Sequence, residues 1–168
     1  TVERSPLGVV GVIGPWNYPI FTPIGSIAYA LAAGNTVVFK PSEYTPGVGM
    51  WMAESFNAIA PFAGIFTTIT GLAETGNALC TSAINKLSFT GSTRTAKLVA
   101  AACATQMTPV VLECGGKDPV IVASDANLDR AVDATIWSAM ANAGQSCIGA
   151  ERVYVDERVA DIFIEKAI

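Results

Sequence analysis

Apolar positions along this chain come in short unbroken blocks separated by longer, alanine-rich stretches. The blocks at residues 9–13, 36–39, 65–70, 86–89, 110–113 and 120–122 carry the β-branched and aromatic residues that suit strands. Most do not alternate apolar with polar positions, as a strand with one wet face would. Continuous apolarity predicts strands covered on both faces, the habit of a parallel sheet. Between the first five blocks lie residues 20–33, 48–59, 73–82 and 93–104, whose composition suits helices. Alternation at this spacing predicts right-handed βαβ units. Ligands of such sheets sit beyond the carboxyl ends of the strands, so the residues after each block become the ones of interest.

The character changes after Glu113. Residues 128–142 predict a helix capped by Asp125 or Asn127. A loop of small and polar residues follows at 143–149, then a strand at 152–155 and a helical pattern at 159–168. Gly115-Gly116 permits a sharp turn, and a boundary between two modules is expected there. The expected fold class is α/β: a parallel sheet flanked by helices over 1–114, and the first part of a second α/β domain over 115–168.

Composition adds a constraint. Of 168 residues, 51% are hydrophobic and only 14% charged, against about a quarter charged in an ordinary domain. So apolar a chain is expected to bury surface against more protein, either the rest of a longer chain or other subunits. The lack of an initiator Met and the helical pattern that breaks off at Ile168 are read the same way, as an internal segment. The uncharged stretch between Arg4 and Lys40 is interrupted by Pro6, Gly14-Pro15, Pro19, Pro23 and Gly34-Asn35. A second, 55–73, is interrupted by Pro61-Phe62-Ala63-Gly64, so neither reads as a membrane span. No basic segment precedes a compact apolar core, as a signal peptide would require.

The net charge of −4, with no cluster of Lys or Arg, argues against a nucleic-acid partner. Four cysteines at 80, 103, 114 and 147 have no CxxC spacing, which suits free thiols in a reducing cytoplasm. Histidine is absent. That removes Cys-His dyads, Ser-His-Asp triads and His-ligated zinc from within this segment, and no metal is expected.

Five places carry candidate chemistry. Asn17 sits in Gly14-Pro15-Trp16-Asn17-Tyr18-Pro19, a restricted bend after the first block; its amide either donates to a developing oxyanion or caps the turn. Lys40 and Glu43, with Pro41-Ser42 between them, suit ribose hydroxyls or phosphate, or are solvated charges. Phe89-Thr90-Gly91-Ser92 brings a helix start to a strand end, which favours a phosphate, although an N-cap explains Ser92 as well. Neither GxGxxG nor a Walker A loop occurs. Glu113 ends an apolar strand, where desolvation would make it a usable general base; the alternative is a structural ion pair. Cys147 lies in the glycine-containing loop, where a thiol stays accessible among backbone N–H groups or is simply inert, while Cys80, Cys103 and Cys114 read as buried filler. With no histidine, the thiol needs activation from a carboxylate, the local amides or a cationic cofactor.

Pro15-Trp16-Asn17-Tyr18-Pro19, Lys40-Pro41-Ser42-Glu43, Phe89-Thr90-Gly91-Ser92, Glu113-x-Gly115-Gly116-Lys117 and Gly144-Gln145-x-Cys147 resemble, in order, the signatures of the aldehyde dehydrogenase family. The resemblance covers the whole chain and less than half of a complete family member. It implies a Rossmann-like NAD(P)-binding domain up to residue 114 and a thiol-bearing catalytic domain after it. Cys147 would attack the aldehyde, Asn17 and the Cys147 N–H would hold the oxyanion, and Glu113 would activate water against the thioester. Lys40 and Glu43 would contact the adenosine ribose and Ser92 the pyrophosphate. Trp16 would line the site, and the segment from Gly71 to Gly76 would lie near the adenine. Ser42, Phe89, Gly91 and Gly115 fall in the same motifs and are carried as cofactor-contacting positions. Glu43 would repel a 2′-phosphate, favouring NAD, with NADP as the alternative. The implied substrate is a small-molecule aldehyde, and the implied parent a cytoplasmic homodimer or homotetramer. The segment alone is expected to be inactive or insoluble. A CoA-acylating relative and a non-catalytic binding or structural protein are the competing readings. Cys114 and Asp118 depart from the family's usual residues.

Overall fold

A computed structural model of the chain describes residues 5–59 and 64–168. The expected break at Pro61-Phe62-Ala63 therefore lies outside the described residues. In chain order the elements are β1 (Val9–Ile13), α1 (Phe21–Ala32), β2 (Thr36–Lys40), α2 (Pro46–Asn57), β3 (Phe66–Thr68), α3 (Ala73–Cys80), β4 (Lys86–Thr90), α4 (Thr93–Ala104) and β5 (Val110–Glu113). Then follow β6 (Asp118–Val122), α5 (Leu128–Met140), a 3-10 turn (Ala141–Gly144), β7 (Ala150–Val155) and α6 (Ala160–Ala167). The chain divides into two compact units between Cys114 and Gly115.

The first unit is a five-stranded parallel sheet in the order β3-β2-β1-β4-β5. Its strands alternate between two cores. Val10 and Val12 of β1 pack with Ile27 of α1, Met52 of α2, Phe39 and Phe66. Val9 and Ile13 join Leu79 and Cys80 of α3, Val99 and Cys103 of α4, Leu87 and Phe89. Helices α1 and α2 thus cover one face and α3 and α4 the other, which is why the strand blocks read as continuously apolar. The Phe39 and Phe66 rings stack at 6.2 Å, both fully buried. Gly11 makes room in the centre of the sheet: a Cβ there would lie 2.7 Å from the Leu87 side chain.

Two asparagines tie the amino end of β1. Asn35 is buried; its Oδ1 accepts the Leu7 and Gly8 N–H groups, while its Nδ2 donates to the Ala30 carbonyl. Asn85 Oδ1 accepts the Val9 N–H at 2.8 Å. Helix α2 starts two residues before the expected position because Pro46 is tolerated in a first turn, where its missing N–H costs nothing. β3 is shorter than the block that predicted it, covering only Phe66–Thr68.

The turn that closes α4 reaches Met107, which holds φ at +55° and is 88% exposed, while the Thr108 N–H returns to the Cys103 carbonyl. This is the left-handed residue of a helix C-cap, a position that suits glycine. Relief of the Cβ clash is worth about 1 kcal/mol, less the entropy a glycine loses. Met107→Gly should therefore raise unfolding stability by a few tenths to about 1 kcal/mol, read from the denaturant midpoint at unchanged slope.

The second unit is smaller. β6 and β7 pair in parallel, with a register irregularity at Asp118/Pro119, and α5 and α6 pack on them through Val122, Val132 and Phe163. Asn127, rather than Asp125, caps α5 by accepting the Arg130 N–H at 3.1 Å. The helix expected over 128–142 ends at Met140, because Asn142 and Ala143 turn to positive φ. Among the described residues no helix is long and apolar enough to cross a membrane.

Candidate active site

Register brings the strand ends of the first unit to one level. Ile13 lies opposite both Lys40 and Phe89, Phe39 opposite Thr68, and Thr90 opposite Glu113. The segments holding Asn17, Ser42, Gly71, Ser92 and Glu113 thus all leave the same edge of the sheet. The chain winds outward from β1 through β2 to β3, then returns to place β4 on the other side of β1. That reversal opens a crevice between β1 and β4, where parallel α/β sheets take their ligands. The bend carrying Asn17 and the turn carrying Gly91-Ser92 flank it.

Local packing holds each position. The Gly14 N–H donates to the Lys40 carbonyl at 3.1 Å, and a Cβ on Gly14 would press on the Phe39 ring at 3.0 Å. The bend can therefore lie flat on the core. Asn17 is half-buried and Trp16 exposed. Lys40 is not a solvated charge: it is 5% exposed, and its Nζ donates to the Pro41 carbonyl at 2.9 Å. Burial holds its pKa below the ordinary lysine value, and the Glu43 carboxylate pulls in the opposite direction. Glu43 itself is exposed. Ser42 is buried, with Oγ accepting the Tyr44 N–H. Gly71, at φ +149°, lies where a Cβ would collide with Thr75 at the start of α3, and Gly76 packs beside the Lys40 stem.

Phe89 is 3% exposed, so its ring lies in the core rather than at the surface. It supports Gly91 instead: a Cβ there would sit 2.7 Å from Phe89 Cζ. Ser92 takes its N-cap role, accepting the Thr95 N–H at 3.2 Å. Glu113 is exposed rather than desolvated, since β5 is an edge strand, and among the described residues it joins no ion pair. Cys114 is half-buried and packs against the core between the sheet and helices α3 and α4.

In the second unit Cys147 is exposed, in the centre of a turn closed by the Gly149 N–H on the Ser146 carbonyl. The three residues Asn142, Ala143 and Gly144 before it hold φ at +52°, +58° and +73°. Two of these carry a Cβ, each at a cost of about 1–2 kcal/mol, and such strain is characteristic of functional loops. The Gly116 N–H donates to the Cys147 carbonyl at 3.1 Å, and Gly115, at φ +78°, faces the same residue. Lys117 pairs with Glu151 and its carbonyl accepts from Arg152. The sequence marked Gly115-Gly116 as a turn but gave no signal of the bond to Cys147, which spans 31 positions.

The four thiols are all free. Cys80 and Cys103 lie in one buried cluster and hydrogen-bond to each other; burial first, then Cys103, pushes the Cys80 thiol up from 9.0 to about 12. Iodoacetamide on the native protein should alkylate Cys147 and spare Cys80 and Cys103, which react only after unfolding; peptide mass spectrometry reads this. Because the fold retains the Cys80 proton above the pH at which the unfolded chain releases it, this stabilisation is complete below pH 9.0 and is lost as pH rises toward 12.

The first unit is thus a doubly wound, Rossmann-like α/β sheet with a switch-point crevice, and a second unit bears an exposed thiol after a strained segment. The chain belongs to the aldehyde dehydrogenase family, whose model matches residues 1–168. It is 40% identical over 166 residues to a 2-hydroxymuconic semialdehyde dehydrogenase of Pseudomonas sp. (strain CF600), covering 97% of this chain and 34% of that protein. A crystal structure of an NADP-dependent enzyme from E. coli superposes with a TM-score of 0.93 at 42% identity, over 97% of this chain and 34% of that one. The NAD+ complex of an aldehyde dehydrogenase from Bacillus cereus gives a TM-score of 0.94 at 34% identity, over 99% and 34%. The chain spans about a third of the length of the relatives it matches.

Proposed function

We propose that this chain is part of a longer NAD(P)-dependent aldehyde dehydrogenase that oxidises an aldehyde to a carboxylic acid, with Cys147 as nucleophile, Glu113 as general base and Asn17 as oxyanion donor. The observation that carries the reading is an exposed thiol just after a left-handed segment, in a chain that belongs to this family.

The residues of the first unit fit a dinucleotide. Gly91 has no Cβ to shield the capped N-terminus of α4, whose N–H groups suit a pyrophosphate. Lys40 spends one of its ammonium protons on Pro41 and keeps donors for a ribose. Glu43 is an exposed carboxylate beside it, which repels a 2′-phosphate and favours NAD; NADP is the alternative. Trp16, Ser42, Gly71 and Gly76 shape the surroundings, and Phe89 supports Gly91 from below. Bound nicotinamide supplies an acceptor for the hydride that leaves the substrate carbon.

The chain's own groups carry the remaining steps. The Cys147 sulfur bonds to the aldehyde carbon, and the carbonyl oxygen takes the negative charge. The Asn17 amide and the Cys147 N–H donate to that oxygen. Loss of hydride leaves a thioester on Cys147. Glu113 removes a proton from water, which attacks the thioester carbon; the acid departs and the thiol returns. The exposed apolar surface supports a homodimer or homotetramer, and the four free thiols support a cytoplasmic location.

The test is NADH formation by the longer protein across a panel of aldehydes. Turnover on at least one aldehyde, yielding acid without added CoA, is expected. No turnover on any of them, with Cys147 still open to alkylation, would sink the proposal.

A further inference from the structure

Cys147 is held from outside its own loop. Its carbonyl accepts the Gly116 N–H at 3.1 Å. Gly115 holds φ at +78°, and a Cβ built on it would lie 3.3 Å from Cys147 Cβ and 3.5 Å from the Cys147 carbonyl oxygen. All three residues belong to the second unit. The Gly116 contact reaches the cysteine's carbonyl and the Gly115 contact its Cβ, and the residue stays exposed. Five and four positions earlier, Asn142 and Ala143 sit in a backbone region that L residues disfavour. Such strain persists only where the surrounding structure holds it.

We infer that Gly115 and Gly116 are positioning residues for Cys147: the Gly116 N–H fixes the direction of the cysteine's carbonyl, and the missing Gly115 side chain leaves the space in which its Cβ sits. Gly115 then serves the thiol. The inference rests on Cys147 being the nucleophile. A methyl group at Gly115 would displace the cysteine by a few tenths of an ångström or more. Where a displacement of about 1 Å costs ~100-fold in rate, a smaller one costs roughly tenfold.

The experiment compares Gly115→Ala with Gly34→Ala in the longer protein. Gly34 also has positive φ, at +84°, but a Cβ there meets only Pro6 at ordinary distance, so it carries the same backbone penalty in the other unit. Gly115→Ala should lower kcat roughly tenfold with KM for the aldehyde within about twofold, and should change the rate and pH profile of Cys147 alkylation. Gly34→Ala should match its loss in Tm and keep wild-type kcat and thiol reactivity. Wild-type kcat and alkylation in Gly115→Ala, or an equal loss of kcat in Gly34→Ala, would overturn the inference. If Gly115→Ala does not fold, amide exchange in the wild type decides: a protected Gly116 N–H supports the anchor, and exchange at the unfolded-chain rate overturns it. Turnover that persists in Cys147→Ala removes the proposed function itself. Turnover that needs Cys147 but ignores Gly115 removes only this inference.

Discussion

Cys147→Ala is expected to lower kcat/KM for aldehyde oxidation by roughly 10⁴-fold or more, equivalent to ~5 kcal/mol of transition-state stabilisation. The size follows from the covalent route. Without the sulfur no tetrahedral adduct forms, and the oxyanion donors have nothing to hold. Binding of the dinucleotide should stay nearly unchanged, because all the residues assigned to it but Gly115 lie in the other unit. Turnover against an NADH signal, with a fluorescence titration of the cofactor on the same preparation, separates the two effects. A variant that keeps more than about a tenth of wild-type turnover would place the nucleophile elsewhere.

The second large effect is expected from Glu113→Gln. The glutamine keeps the shape and loses the base, so attack by Cys147 and hydride loss should proceed while hydrolysis of the thioester stalls. Mixing should give a burst of NADH stoichiometric with enzyme, followed by a steady rate about 10²- to 10⁴-fold below wild type. Intact mass should show the acyl group retained on the Cys147 peptide. An absent burst would move Glu113 to a step before hydride loss. Glu113 is exposed at the end of an edge strand.

Much of the fold was legible because several strand blocks, β1 above all, are apolar on both faces. Val9 and Val10, adjacent in sequence, serve opposite cores, and only a sheet sandwiched between helices asks for that. The ends of elements were harder to read. The α2 start turned on a proline that the first helical turn tolerates, and the α5 end on left-handed conformations at Asn142 and Ala143 that neither residue type announces. At the candidate site, residue identity carried the reading where chemistry is local, as with the exposed Cys147. It failed where burial is collective. Phe89 stands in a ligand motif and is a core residue, while Lys40, read as a ribose contact or else a solvated charge, is buried. Neither depends on its neighbours in sequence; both depend on what the sheet and helices place over them.

The strand order has a consequence for assembly. β1 meets β2 across a short separation, Val9 opposite Thr36, but meets β4 only across Val10 opposite Lys86. Closing the longer loop costs about 0.9 kcal/mol more in chain entropy. It also requires that β4 has been synthesised. During translation the half-sheet β3-β2-β1 can pair while the rest of the chain is still in the ribosome. The crevice between β1 and β4 belongs to no local piece of the chain, and appears only when the fourth strand closes against the first.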